Sequence, residues 1–112
     1  MATRDGGLES GIGDLLGSRP GWRLEPQATP GLPPQWCFGP GGRTRLAVGV
    51  GDGAVSLYLE DLDRDLRLPD VATLAGWLDA NESRFAAPDA PGAEDLALLV
   101  RRTLREWHRP GT

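Results

Sequence analysis

Side chains suited to nucleophilic catalysis are scarce in this sequence. Cys37 is the only thiol and His108 the only imidazole, so a Cys-His pair would have to use these two residues. A third group would be needed to orient the imidazole, and the residues around His108 mark none. We expect Cys37 to be a buried structural thiol and His108 to be a solvated residue at a helix end. The sequence predicts no catalytic residue and no cofactor.

The acidic residues 60–65 resemble a calcium loop in their alternating carboxylates. An EF-hand loop that began at Asp61 would need glycine at its sixth position and glutamate at its twelfth, where this chain has Leu66 and Ala72. Arg64 also places a positive charge among the carboxylates. We therefore expect an exposed, partly self-paired turn and no metal site.

Two features argue against nucleotide or nucleic-acid binding. Residues 39–43, Gly-Pro-Gly-Gly-Arg, precede a predicted strand and do not continue in the lysine and Ser/Thr pattern of a phosphate loop, so they are interpreted as a turn. The formal net charge of −4 repels phosphate backbones. No nucleic-acid partner is predicted.

A β-hairpin is the clearest predicted element. Residues 44–50 and 54–60 alternate apolar and polar or small side chains and are joined through Gly51-Asp52-Gly53. The expected register sets three pairs on one apolar face, namely Val50 with Val55, Val48 with Leu57, and Leu46 with Leu59. It places Arg45 opposite Glu60.

Helices are predicted on both sides of this hairpin in the sequence. Helical spacing of apolar residues predicts a short first helix and two C-terminal helices, the first of which begins after Asp70. The apolar residues expected on their buried faces are Leu8, Ile12, Leu15 and Leu16; Leu74, Trp77, Leu78 and Phe85; and Leu96, Leu99, Val100, Leu104 and Trp107.

These elements predict one α+β domain over residues 1–112. Short strands at 22–25, 35–39 and 65–68 extend the hairpin into an antiparallel meander of four to five strands. Two C-terminal helices packed on one face of the sheet would complete a two-layer sandwich. We expect residues 1–7 and 109–112 to be flexible.

The composition predicts a cytoplasmic protein. Hydrophobic residues make up 39% of the chain and charged residues 25%, which is typical of globular proteins. One cysteine cannot form an internal disulfide, and the sequence shows neither a signal peptide nor an apolar run that could cross a membrane. All 12 basic residues are arginine, which favours a GC-rich bacterial genome as the source.

The absence of catalytic groups favours a non-catalytic protein-interaction module, such as an adaptor, a chaperone or an immunity-type protein. Large apolar groups lie among prolines in residues 22–38, and preorganised aromatic groups make efficient binding anchors. Arginines of the last helix could contact a carboxylate-rich or phosphorylated partner. The predicted contact residues for another protein, or for a second copy in a homodimer, are Trp22, Leu32, Trp36, Phe38, Arg101 and Arg105.

A small-molecule binding protein or minor enzyme is the alternative. The second face of the hairpin carries mostly small residues, which leave space that another element or a ligand must fill. Such a pocket would be formed by Ala47, Gly49, Ser56 and Tyr58, with Cys37 nearby. A closed apolar cavity there would favour this alternative.

Overall fold

The computed structural model describes residues 4–27, 29–51, 53–87 and 92–106. Three α-helices flank and follow a five-stranded sheet. The helices are α1 (Arg4–Gly17), α2 (Val71–Asn81) and α3 (Ala93–Glu106), and the strands are β1 (Trp22–Glu25), β2 (Gln35–Phe38), β3 (Leu46–Gly51), β4 (Ala54–Leu59) and β5 (Arg64–Leu68). Short 3-10 helices occupy Pro40–Gly42, Glu60–Leu62 and Glu82–Phe85. The predicted α+β class is confirmed.

The sheet is a meander in which each strand pairs antiparallel with its neighbour in the chain, in the order β1-β2-β3-β4-β5. All three predicted apolar pairs of the central hairpin are present. Gly51 pairs with Ala54, so it belongs to β3 rather than to the turn. Gly53 is in a turn, and Asp52 lies outside the described residues.

The core lies between the apolar face of the sheet and the helical layer. Leu57, at the centre of this face on β4, is fully buried, as is Trp77 of α2. The indole Nε1 of Trp77 donates a hydrogen bond of 2.7 Å to Oγ1 of Thr103, which joins α2 to α3. α1 contributes the buried Ile12 and Leu16 to the same core.

Asp70 caps the start of α2. Its carboxylate accepts a hydrogen bond of 2.7 Å from the hydroxyl of Thr73 and one of 2.8 Å from the Thr73 amide. The hydroxyl and the amide both stabilise the charged form, and together they lower the pKa of the Asp70 carboxyl. The predicted helix start is thus explained by a contact between near neighbours.

Two details of the predicted helices differ from the structure. α2 ends at Asn81, where the side-chain amide donates to the carbonyl of Trp77, so the buried Phe85 lies in the following 3-10 helix. Leu104 is 37% exposed, and the neighbouring Thr103 is buried at 1% exposure. Trp107 lies outside the described residues. No helix in the described ranges is both long enough and apolar enough to cross a membrane.

Arg45 is an internal charge in this small domain. It precedes β3 and its side chain is only 2% exposed. Its Nε and Nη2 atoms lie 2.9 and 2.8 Å from Oδ2 of Asp61, and its Nη1 donates to the carbonyls of Phe85 and Ala87. The Glu60 amide donates to the Arg45 carbonyl, as the predicted register requires. One guanidinium therefore joins the acidic turn to the segment that follows α2.

Candidate functional site

The candidate site is a groove at the edge of β3. It lies beside the last residues of β3, which extend beyond the end of β2. The register pairs Trp36 with Val48, so the next positions toward the chain start place Gln35 beside Gly49 and Pro34 beside Val50. Proline has no amide hydrogen and cannot continue the ladder. Within the described residues, Val50 and Gly51 consequently pair with β4 alone.

This β3-edge groove has a volume of about 550 Å³ and is open to solvent along one side. One wall is formed by Gln27 and residues 32–34 of the proline-rich segment, in which Nε2 of Gln27 donates to the carbonyl of Pro33 at 2.7 Å. The other wall is α1, and the floor is β3 with the adjoining part of β4. The lining residues are Glu9, Ile12, Gly13, Leu24, Gln27, Leu32, Pro33, Pro34, Gln35, Trp36, Ala47, Val48, Gly49, Val50, Gly51, Ser56 and Tyr58.

The structure separates the predicted partner-contact residues into three places. Leu32 and Trp36 line the groove, and Leu32 is 51% exposed. Trp22 and Phe38 belong to the core, where their rings lie 5.3 Å apart. The indole Nε1 of Trp22 donates to Glu82 at 2.5 Å, which fixes β1 against the end of α2. Arg101 and Arg105 lie on α3 and do not reach the groove.

Four of the five predicted pocket residues meet in the groove, namely Ala47, Gly49, Ser56 and Tyr58. The hydroxyl of Tyr58 donates to Asp63 and that of Ser56 donates to Asp65. The bond to Asp63 raises the pKa of Tyr58 to about 12, because the neutral hydroxyl donates this bond and the ionised form could not. At neutral pH, Tyr58 is therefore a hydrogen-bond donor and not a base.

Cys37 is buried in β2 near the side chain of Thr44 and does not line the groove. The thiol is 3% exposed, and burial is the main cause that raises its pKa above the usual value. A raised pKa lowers the thiolate fraction at neutral pH, and burial blocks access to a substrate. His108, the imidazole that a Cys-His pair would need, lies outside the described residues. Its burial and its raised pKa both indicate that Cys37 is a structural thiol.

Comparisons with protein-family models, with curated proteins and with solved structures find no match to this chain. The chemistry and shape of the groove are therefore the basis for a functional proposal.

The acidic turn directs its carboxylates to different partners. Asp61 accepts from Arg43 at 2.6 Å as well as from Arg45, and its side chain is only 17% exposed. Asp63 and Asp65 accept from the hydroxyls of β4. Among the described residues there is no group of three or more side chains that could hold a metal ion. The predicted exposed turn is thus tied to the fold by arginines from outside it.

Calcium or magnesium at millimolar concentration is expected to shift the melting temperature by no more than roughly one degree, because only an ion that binds the native state stabilises it. Differential scanning fluorimetry with and without EDTA measures this shift. A rise of several degrees that the Asp63→Asn variant abolishes would contradict the expectation.

Proposed function

We propose that the chain is a non-catalytic protein-interaction module that binds a short apolar segment of a partner protein in the β3-edge groove. The observation that carries this proposal is the exposure of two leucines at the groove, since Leu24 is 52% and Leu32 51% exposed beside the half-buried Trp36. When a partner removes leucines grouped around a concave surface from water, the burial of their apolar area stabilises the complex.

The backbone of β3 supports an extended conformation for the bound segment. The amide of Glu60 bonds the carbonyl of Arg45, and the alternation of an antiparallel ladder then directs the N–H and C=O of Val50 away from β4. These groups point to the side where Pro34 cannot donate. Among the described residues no backbone partner is seen for them on this side, so a partner strand laid along this edge could pair with them through main-chain hydrogen bonds.

Charge indicates which apolar segments fit best. Glu9 is the one carboxylate among the described residues of the groove lining, and the whole chain carries a net charge of −4. Both would attract lysine or arginine residues that flank the bound segment. The proposal includes a bacterial and cytoplasmic setting, for which the arginine-only basic composition and the single unpaired cysteine are the support.

Replacing Leu32 by aspartate is expected to abolish binding of apolar peptides while leaving the fold intact. The half-exposed side chain contributes little to folding, and a carboxylate in the groove would have to be desolvated by the peptide. NMR titration of isotope-labelled protein with a peptide of valines and leucines between terminal lysines measures the binding.

Leu98→Asp is the matched control, because Leu98 is 60% exposed on α3 outside the groove. It should bind the lysine-flanked peptide as the unmodified chain does. A loss of more than about 2 kcal/mol in the free energy of unfolding of Leu32→Asp would show that Leu32 is a core residue and would contradict the proposal. Equal loss of binding in both variants would do the same.

A small apolar molecule is the second candidate occupant. The groove volume of about 550 Å³ is typical of ligand sites, and small side chains at Ala47 and Gly49 make room on its floor. In that case one small molecule should shift the NMR signals of Ser56 and Tyr58 while leaving Leu24 and Leu32 unaffected. An extended peptide should shift all four.

A further inference from the structure

A second depression, on α3, is lined mainly by arginines. Arg84 of the last 3-10 helix and Arg101, Arg102 and Arg105 of α3 surround a volume of about 430 Å³, and this arginine surface shares no residue with the β3-edge groove. Within the described ranges, none of these four guanidinium groups forms a hydrogen bond or an ion pair. Arg19, Arg23, Arg43 and Arg45, by contrast, all contact carboxylates.

The concentration of like charge is unusual for an acidic chain. The net charge is −4, yet Asp95 is the only acid among the described residues that line this surface. Guanidinium groups present fixed pairs of donors that match carboxylates and phosphates. The arginine surface is therefore complementary to an anionic ligand.

An exposed leucine narrows the class of anion. Leu98 is 60% exposed and lies one turn before Arg101 and Arg102 on the same face of α3. From Leu98 to Arg105 the helix rises about 10 Å, which is the length of a few extended residues. A ligand that covers this length binds most tightly if an apolar side chain contacts Leu98 and acidic groups contact the neighbouring arginines.

The surroundings disfavour a long polyanion. The 3-10 helix Glu60–Leu62 packs against α3, so the acidic turn adjoins the helix that carries three of the four arginines. A nucleic-acid backbone that extended beyond the arginines would meet this negative charge. A short segment that ends within the arginine surface avoids it.

We infer that the arginine surface binds a short acidic segment of a partner protein, in which carboxylates flank an apolar residue. This second site does not depend on the β3-edge groove. It gives the chain two separate binding surfaces of opposite preference, one for basic apolar segments and one for acidic apolar segments.

Fluorescence anisotropy with a labelled peptide that repeats Glu-Leu-Glu-Gly tests the inference on the full chain. Arg101→Gln combined with Arg105→Gln should weaken binding by about tenfold, since each exposed pair contributes a factor of up to about five. The melting temperature should not change, because both side chains are exposed. Binding should also weaken as salt is added.

Arg64→Gln is the matched control for a single substitution, because Arg64 is exposed on β5 and lies outside the arginine surface. It should leave affinity unchanged, whereas Arg101→Gln alone should lower affinity by about threefold. Leu32→Asp, which tests the groove, should also leave binding of the acidic peptide unchanged. These three results together support the second site.

Three outcomes would overturn it. Equal losses for Arg101→Gln and Arg64→Gln would indicate attraction by net charge alone. Equal affinity for a peptide that repeats Glu-Gly-Glu-Gly, or for inorganic triphosphate, would show that Leu98 is not used and that any anion suffices. Arginine-dependent dimerisation in analytical ultracentrifugation that excludes the peptide would assign the surface to a second copy of this chain.

Discussion

Replacing Asp61 by alanine is expected to lower the free energy of unfolding by about 3–5 kcal/mol, because it removes the Asp61 carboxylate that contacts the buried Arg45 guanidinium. Arg45 is 2% exposed, so water cannot replace the lost partner, although the carbonyls of Phe85 and Ala87 still accept from it. Urea denaturation followed by tryptophan fluorescence measures the change in the free energy of unfolding.

A double variant separates this charge effect from a simple loss of packing. Arg45→Met together with Asp61→Ala removes both charges, and it should be more stable than Asp61→Ala alone. Asp63→Asn controls for the removal of one acid from the same turn, since Asp63 is exposed and its partner is the exposed hydroxyl of Tyr58. Equal stability of Asp61→Ala and Asp63→Asn would show that the buried ion pair does not hold the turn in place.

Truncating Leu57 to alanine is expected to lower the free energy of unfolding by about 2–5 kcal/mol. Leu57 is fully buried at the centre of β4, where it pairs with Val48 on one side and Leu66 on the other. The surrounding strands are held by their ladders and cannot close the resulting cavity. The same urea experiment measures the loss.

Leu98→Ala is the matched control, because Leu98 is 60% exposed and alanine maintains the helix. It should change the free energy of unfolding by less than about 0.5 kcal/mol. A loss well below 1 kcal/mol for Leu57→Ala, roughly the size expected of a surface substitution, would mean that the apolar face of the sheet is solvated.

Local sequence patterns were sufficient to predict the hairpin and the faces of the helices. Side chains alternate between the two faces of a strand, so a register shift of one residue would have placed Val48 and Leu57 in water. A glycine-containing turn restricted the register further. The start of α2 could also be predicted from local sequence, because the Asp70 carboxylate accepts from an amide only three residues away. These features depend on neighbours in the chain or in the ladder.

The internal position of Arg45 could not be predicted in this way. Alternation would place Arg45 on the same side of the strand as Ala47, but Arg45 precedes β3, which begins at Leu46. Its carbonyl acceptors belong to Phe85 and Ala87, which lie 40 and 42 residues further along the chain. Trp22 was likewise assigned to a partner surface, but Glu82, its hydrogen-bond acceptor, is 60 residues away. No local pattern reports such contacts.

The groove had one sequence signal, which was Pro33-Pro34 before β2. Proline predicts that strand pairing stops, and this is why the edge of β3 is open beside Val50. The sequence did not show that α1 would form the opposite wall, because Glu9 and Gly13 are far from β3 in the chain. Leu32 and Trp36 were predicted as contact residues, and the structure brings both into the groove.

The strictly sequential order of the five strands has a consequence for the kinetics of folding. Each ladder joins two strands that are consecutive in the chain, so the connecting loop is short. The conformational entropy lost in closing that loop is therefore small at every step of sheet formation. The ion pairs of Arg19 with Asp79 and Glu82 are different, since they join segments 60 and 63 residues apart. Docking of the segment after α1 onto the end of α2 therefore requires a longer loop closure than any of the strand ladders. In folding kinetics, substitutions at Arg19 should act on the unfolding rate, whereas those in the β3–β4 hairpin should act on the folding rate.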